Sequence, residues 1–281
     1  MILQYLGTAA AEGVPGVFCT CEVCQTSRAR GGKNIRTRSQ AVVYADSLGE
    51  GAPDERLLID LPPDTYFHII RDNLRMESIG HLLITHSHAD HFYPVELKYR
   101  RGIFANPNPP FPLNLYGNEA VRDVFMDKVH NPDYDGFVFH MVENFKPFNA
   151  GVFVVTAMPA LHAKSERCLI YMIEHGGKRV FYANDTGVFP EETWEYITGK
   201  TFDLISLDCT FGVNKDGKNH MGLPDAVEVE ARLQKLGCMK EDTKIVLHHF
   251  SHNGGACHDE MVKIADVHGY GVSYDGNVWG I

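Results

Sequence analysis

The segment Thr85-His86-Ser87-His88-Ala89-Asp90-His91 constrains this chain more than any other. The run before it, Ile79-Gly80-His81-Leu82-Leu83-Ile84, reads as a buried strand, so the cluster lies where a strand opens into a loop. Three imidazoles and a carboxylate so close together are costly to bury unless their charges and hydrogen bonds are satisfied. Neutral imidazole with carboxylate suits zinc, manganese or iron. His86 and His88, two apart, are placed to clasp one ion, while Asp90 and His91, past the bend, face a second. The alternative is a solvated polar loop, which gives such a density of ligating groups no purpose.

Short apolar runs bounded by turn residues surround this cluster. They predict strands at Ile2–Leu6, Gln40–Tyr44, Arg56–Asp60, His81–Thr85, Asn114–Tyr116, Val152–Met158, Cys168–Glu174, Arg179–Asn184, Leu204–Asp208 and Lys244–His248. Helical periodicity predicts helices at Tyr66–Leu74, Glu119–Lys128, Pro190–Ile197, Pro224–Leu236 and Asp259–His268. Runs of strands with helices between them imply an α/β layered fold. No repeat, low-complexity tract or long linker divides the chain, so residues 1–281 read as one domain, large enough to bury a core without disulfides.

Composition excludes several classes. An aromatic content of 11% rules out disorder as the dominant state, and no apolar run approaches the ~20 residues of a membrane span. A net charge of −10 makes a non-specific nucleic-acid binder a poor reading. Met1–Leu6 has neither a basic leader nor a long apolar stretch and reads as a strand rather than a signal peptide. Seven cysteines, an odd number, then point to a reducing compartment and a cytoplasmic protein.

Three of those cysteines form Cys19-Thr20-Cys21-Glu22-Val23-Cys24, which reads as a zinc clip short of its fourth ligand. A redox pair fits less well, because the segment follows a Gly/Pro loop rather than a strand; chance clustering is the bland alternative. His220, in Asn219-His220-Met221-Gly222-Leu223-Pro224, stands just before a predicted helix and is equally readable as a flexible loop histidine. Gly7–Gly16 lacks the Lys-Ser/Thr ending of a phosphate-binding loop and reads as a permissive turn. Lys98, Arg100 and Arg101 read as a solvated face with the alternative of guiding an anionic substrate.

The His-x-His-x-Asp-His pattern after a strand resembles the signature of the metallo-β-lactamase fold superfamily, and the resemblance runs through the whole chain. It implies a four-layer αββα sandwich. His162 after Met158-Pro159-Ala160-Leu161, Asp185 after Tyr182-Ala183-Asn184 and His249 after Val246-Leu247-His248 match the later positions of the pattern in order. The resemblance thus implies one metal held by His86, His88 and His162, another held by Asp90, His91 and His249, and Asp185 between them. Asp60, ending Leu57-Leu58-Ile59-Asp60, matches an aspartate that supports the site from behind, although Leu61-Pro62-Pro63 replaces the family's glycine; a turn-starting aspartate is the alternative. Only one of His248 and His249 can reach the metals if both lie on a strand.

The opening Leu6-Gly7-Thr8-Ala9-Ala10-Ala11-Glu12-Gly13-Val14-Pro15, followed by Cys-x-Cys-x-x-Cys, narrows the likeness to the phosphoribosyl cyclic phosphodiesterases of the carbon–phosphorus lyase pathway, with alanines in place of part of a glycine pair. In that subgroup a histidine three residues beyond the last active-site histidine completes the clip. His249-Phe250-Ser251-His252 has that spacing, which favours His249 over His248 and makes Cys19, Cys21, Cys24 and His252 a structural zinc site. Phosphodiesterases of the superfamily place a histidine where His220 stands, to meet the phosphate and the leaving oxygen. The implied protein is a dinuclear metal-dependent phosphodiesterase for a small or cyclic substrate, with Asp90 and His220 catalytic and zinc, manganese or iron at the centre. A homodimer is one expectation for its assembly. Alternatives are a lactamase or thioester hydrolase, a protein resembling that of pyrroloquinoline quinone synthesis, and a non-catalytic metal-binding protein.

Overall fold

The computed structural model describes residues 1–49, 51–129, 131, 133 and 136–281. Two seven-stranded sheets stack face to face. Strands β1 (Ile2–Gly7), β2 (Gln40–Tyr44), β3 (Arg56–Ile59), β4 (His81–Leu83), β5 (Leu113–Gly117) and β6 (Phe137–Met141) form the first, with β14 (Val278–Gly280) on the outer edge of β1. In the second, β7 (Pro147–Ala150), β8 (Phe153–Pro159), β9 (Leu169–His175), β10 (Lys178–Ala183), β11 (Phe202–Asp208), β12 (Met239–His248) and β13 (Gly271–Val272) follow one another in chain order.

Strand alternation explains the layers. Leu3 and Tyr5 of β1, Leu57 and Ile59 of β3, and Val180 and Tyr182 of β10 all point between the sheets and are fully buried there. The opposite faces are covered by helices. Ile69 of α2 (Thr65–Asp72) and Val121 and Phe125 of α3 (Glu119–Lys128) pack on the first sheet. Trp194 of α4 (Glu191–Ile197), Ala226, Val229 and Leu233 of α5 (Leu223–Lys235), and Met261 and Ala265 of α6 (His258–Asp266) pack on the second. Helix, sheet, sheet and helix therefore form four layers, the sandwich that the pattern implied. No helix of the described residues is long and apolar enough to cross a membrane.

Several elements depart from the sequence reading, each for a local reason. Helix α1 (Glu22–Arg30) was not expected, because only Val23, Cys24 and Ser27 are buried along a strongly charged stretch. Strands β3 and β4 stop short of Asp60 and Thr85, because the Thr85 N–H donates to the Asp60 carboxylate at 2.8 Å and so leaves the ladder. Half-exposed β6, short β7 and the two- and three-residue strands β13 and β14 carry too little apolar alternation to be legible. Arg100 is not part of a solvated face: its guanidinium donates to the Phe111 carbonyl at 2.6 Å and lies over the Phe111 ring, and burial lowers its pKa to about 10.

The strands β3 to β6 run parallel, as do β10 to β13. Their carboxyl ends in the two sheets meet at one edge of the sandwich, the place where open parallel sheets leave a crevice.

Candidate metal centre

Each inner strand ends on a polar residue at that edge. Asp60 follows β3, His86 follows β4, Asp185 follows β10, Asp208 closes β11 and His249 follows β12. Asp60, Asp185 and His249 have φ of 65°, 58° and 62°, three of the five described non-glycine residues in the left-handed region. That conformation costs about 1–2 kcal/mol per residue, so its concentration here marks side chains aimed by a strained backbone. A close approach draws in two further loops. The Gly187 N–H donates to the Leu161 carbonyl at 2.8 Å, and a Cβ on Gly187 would lie 2.0 Å from the Lys218 carbonyl oxygen. Only glycine lets the loops bearing His162, Asp185 and His220 converge.

The imidazoles meet nitrogen to nitrogen. His86 Nε2 lies 2.9 Å from His88 Nδ1, His162 Nε2 lies 3.2 Å from His88 Nδ1, and His91 Nε2 lies 3.2 Å from His249 Nε2. Asp185 Oδ2 sits between these groups, 3.2 Å from His86 Nε2, 3.1 Å from His91 Nε2 and 3.8 Å from His249 Nε2. Asp90 Oδ2 is 3.4 Å from His91 Nε2. Ligands at 2.0–2.1 Å from a tetrahedral ion stand about 3.3 Å apart, the spacing of these donors. Asp185 Oδ1 is buried and makes no aligned hydrogen bond, although His162 Nδ1 and His220 Nδ1 are 3.1 and 3.2 Å away.

The far side of the rings fits the same purpose. His91 Nδ1 meets Asp60 Oδ2 at 2.7 Å, His86 Nδ1 meets Thr85 Oγ1 at 3.0 Å, and His249 Nδ1 meets Thr210 Oγ1 at 2.8 Å. Donation from Nδ1 leaves the Nε2 lone pair directed inward, the orientation that metal-binding histidines take from their outer partners. The groups His86–His88–His162, Asp90–His91–His249 and His86–His91–Asp185 each bring their donor atoms within 4.8 Å of one another. The residues present fit a pair of cations. His248 does not face this centre: it meets Ser39 Oγ and Ser273 Oγ, both at 3.0 Å, between the sheets.

Charge is distributed unevenly across the cluster. Burial, with His91 alongside, holds His86 well below the usual histidine range. Burial also disfavours charge on His91, but Asp60 and Asp185 outweigh it and hold His91 well above that range. The Asp185 carboxyl is held well below its usual range, since His249, His91 and His86 outweigh its burial.

Asp208 was missed by the sequence reading. It is wholly buried and accepts hydrogen bonds from the backbone N–H groups of Thr210 and Met221 at 2.9 and 3.0 Å. His220 Nδ1 lies 3.2 Å from Asp208 Oδ2, and Asp208, with Asp185 and Asp216 adding to it, outweighs burial and raises the His220 pKa to about 9. A second missed carboxylate, Glu166, accepts from the Ser87 N–H at 3.0 Å and the Ser87 hydroxyl at 2.7 Å, fixing the turn between His86 and His88. Asp208 shared one signal with Asp60, an acid at the end of an entirely buried strand; Glu166, in a loop, had none.

The cysteine cluster converges as well. Sγ of Cys19 and of Cys21 are each 3.5 Å from His252 Nδ1, and the four donor atoms of Cys19, Cys21, Cys24 and His252 lie within 4.8 Å of one another. A hydrogen bond from the Cys21 N–H lowers the Cys19 pKa, whereas burial raises that of Cys24 to about 12. A Cβ on Gly16 would press on both Cys19 and His252 at 3.2–3.3 Å. Three sulfurs and one imidazole nitrogen are the donor set of a structural zinc site.

The chain is similar to several known proteins. A family model described as a beta-lactamase superfamily domain matches residues 55–250. Coenzyme PQQ synthesis protein B of Methylorubrum extorquens is 27% identical over 226 residues, 75% of this chain and 73% of that protein. A crystal structure of a new diphosphatase from the PhnP family covers 100% of this chain and 97% of its own, with a TM-score of 0.75 at 22% identity. Zn(2+)-bound PqqB from Methylobacterium extorquens covers both chains completely, with a TM-score of 0.70 at 21% identity.

Proposed function

We infer the activity from one premise: the chain belongs to the beta-lactamase superfamily. It is a hydrolase of the metallo-β-lactamase fold, and the finer reading is a metal-dependent phosphodiesterase acting on a small or cyclic phosphodiester. His86, His88 and His162 would hold one divalent ion and Asp90, His91 and His249 a second, with Asp185 shared; zinc, manganese and iron all suit this donor set. Such ions, when bound, supply a water that ionises near neutral pH and offset charge on the phosphoryl oxygens.

The chain's own groups do the rest. Asp90 is the carboxylate placed to orient the attacking water. As the water gives its proton to solvent, phosphorus gains that oxygen and loses the alkoxide on the opposite side, which takes its proton from His220; solvent then reprotonates His220. The Asp208–His220 pair carries this reading. Asp208 engages Nδ1 of the ring, while Nε2 has no hydrogen-bond partner among the described residues, so the imidazole is oriented as an acid toward a leaving oxygen. The diphosphatase of the PhnP family, alike in fold over the whole chain, is by its name an enzyme that acts at phosphorus, which supports a phosphoryl substrate for this fold.

The test is turnover of bis-p-nitrophenyl phosphate and 2′,3′-cyclic nucleotides by metal-loaded protein. His220→Ala should lower kcat by about 10²–10⁴-fold with metal content unchanged. Hydrolysis of nitrocefin or lactoylglutathione without phosphodiester turnover would sink the reading. A second reading rests on the 27% identity with coenzyme PQQ synthesis protein B: a metal-dependent role in building a cofactor. Full metal occupancy with no turnover of any phosphodiester would favour it.

A further inference from the structure

A groove that the metal centre does not use lies between α2 and the segment after His91, where Pro94–Arg100 and Gly102–Phe104 form 3-10 turns. Its volume is about 480 Å3, and Tyr66, Ile69, Tyr99 and Phe104 are among its walls. Leu61, also in its lining, ties it to the centre. The Leu61 N–H donates to the His91 carbonyl and the Tyr93 N–H to the Leu61 carbonyl, both at 2.7 Å. None of the groove's lining residues belongs to the cleft that holds His88, Asp90 and His220.

Apolar side chains stand exposed around this groove. On α2, Tyr66 and Ile70 are one helical turn apart, with Phe67 beside them. Across the groove the Tyr99 and Phe104 rings meet with centroids 5.0 Å apart, and Ile103 projects next to Phe104. Exposure among the six runs from 44% at Tyr99 to 93% at Ile103. With an aromatic side chain carrying about 150–250 Å2, the six present roughly 700 Å2 of mostly apolar surface. The largest patch on a typical monomer is about 300–600 Å2, whereas each partner in a stable complex buries about 800 Å2. The area is that of one half of an interface.

Shape and charge point to the partner. A projecting isoleucine and a groove lie side by side on one face, so two copies related by a two-fold axis can each insert Ile103 into the other's groove. A flat lipid surface would leave that groove unfilled. The edge of the patch is mixed in sign: Arg71 lies over the Phe67 ring and Lys98 over the Tyr99 ring, at 5.3 and 5.2 Å, while Glu77 and Glu96 line the groove. A chain of net charge −10 repels its own copy over most of its surface; here cations of one copy can meet carboxylates of the other.

We propose that this face is a self-association surface, and that the protein is a two-fold dimer in which Ile103 of each copy fills the groove between α2 and Pro94–Arg100 of the other. The contact packs against the segments that follow Asp60 and His91 and leaves the cleft over the metal donors open.

Sedimentation velocity of the metal-loaded full chain, over about 1–100 μM in about 0.15 M salt, should show a particle of twice the 31.5 kDa chain mass. Ile103→Glu buries an unpaired carboxylate at both ends of the interface, so the dissociation constant should rise at least about 100-fold. Ile103→Ala adds no charge and should raise it about tenfold. Both variants should keep the parent's circular dichroism spectrum and metal content, because the side chain is exposed. A monomer at the highest concentration, or a dimer whose dissociation constant Ile103→Glu leaves unmoved, overturns the proposal. A monomeric chain that floats with phosphatidylglycerol vesicles overturns it too, and assigns the patch to lipid.

Discussion

The imidazole–carboxylate centre and the cysteine clip are built on different principles. In the centre, donors come from strand ends in two sheets, and His86, His91 and His249 each have the far nitrogen tied to Thr85, Asp60 or Thr210. In the clip, three thiols come from one loop and the first turn of α1, and the fourth donor comes from the loop after β12. Cys21 is exposed and Cys19 half-exposed. The first site is organised by strand ends; in the second, the two segments are held by the Ala10 N–H donating to the Phe250 carbonyl and the Phe250 N–H to the Thr8 carbonyl, both at 2.9 Å, and by the Ser251 hydroxyl donating to Glu12. Those segments converge because Ala9 bridges both Arg38 and Phe250, one residue beyond His249. A single short loop carries both His249 and His252, so a metal held in the clip would tether the loop that bears His249.

The sharpest way to break the centre alone is Asp60→Ala. Asp60 is fully buried and receives the Thr85 N–H, the Thr85 hydroxyl and His91 Nδ1. Its loss strands buried donors, so stability should fall by about 3–5 kcal/mol and metal affinity by about 10–100-fold. Denaturant unfolding and elemental analysis would check both, with the clip zinc expected to survive dialysis. The converse break is Cys21→Ser. Clip zinc should disappear, and turnover of bis-p-nitrophenyl phosphate should fall about tenfold because His249 loses its outer anchor. Metal counts per chain paired with kcat decide it; zinc lost from the clip with turnover unchanged would show the two regions to be independent.

What could be read beforehand follows the same division. The three clip cysteines and the first half of the centre are each contiguous in sequence, so residue type and spacing exposed them, whereas His252 came only from the resemblance. His162, Asp185 and His249 were readable only as members of an ordered pattern, since each alone is an ordinary polar residue at a strand end. Asp208 was hidden because its function comes from neighbours brought together by folding, among them Thr210, Met221 and His220. The layered architecture was legible because alternation is local. Helix α1 and the sheet edges were not, for their apolar faces are narrow and tertiary contacts decide them. Arg100 misled for a related reason: a charge run looks solvated until aromatic rings are folded over it.

A smaller effect probes the scaffold behind the centre. His68, fully buried, has Nδ1 2.6 Å from Gln40 Oε1, and Gln40 Nε2 donates to the Asp60 carbonyl. Burial, assisted by Arg71, lowers the His68 pKa to about 3. The folded protein therefore keeps this ring neutral while the unfolded chain protonates it near pH 6.5. Stability from this residue is complete above about pH 6.5 and is lost as pH falls toward about 3, by about 2 kcal/mol at pH 5. Unfolding curves at pH 5 and pH 7.5 should differ less in His68→Gln than in the parent. An equal difference in both would place the pH dependence elsewhere.

The smallest expected change tests how finely the centre is held. Glu166 touches none of the donor atoms; it accepts from the N–H and hydroxyl of Ser87 and from Asn118 Nδ2 at 2.9 Å. Asn118 in turn caps α3 by accepting the Val121 N–H at 2.8 Å. The turn carrying His86 and His88 is thus tied to a helix terminus through one carboxylate. Glu166→Gln keeps one acceptor oxygen but sets an amide N–H against a neighbouring donor, so His88, the exposed member of its group, should gain freedom. Metal affinity at the His86–His88–His162 side should weaken severalfold, while that at the Asp90–His91–His249 side stays as it is. Competition with a chromogenic chelator, resolving the two ions as separate phases, reads this directly. Equal weakening of both would mean that the two halves of the centre form one mechanical unit, with the clip as the only separable part.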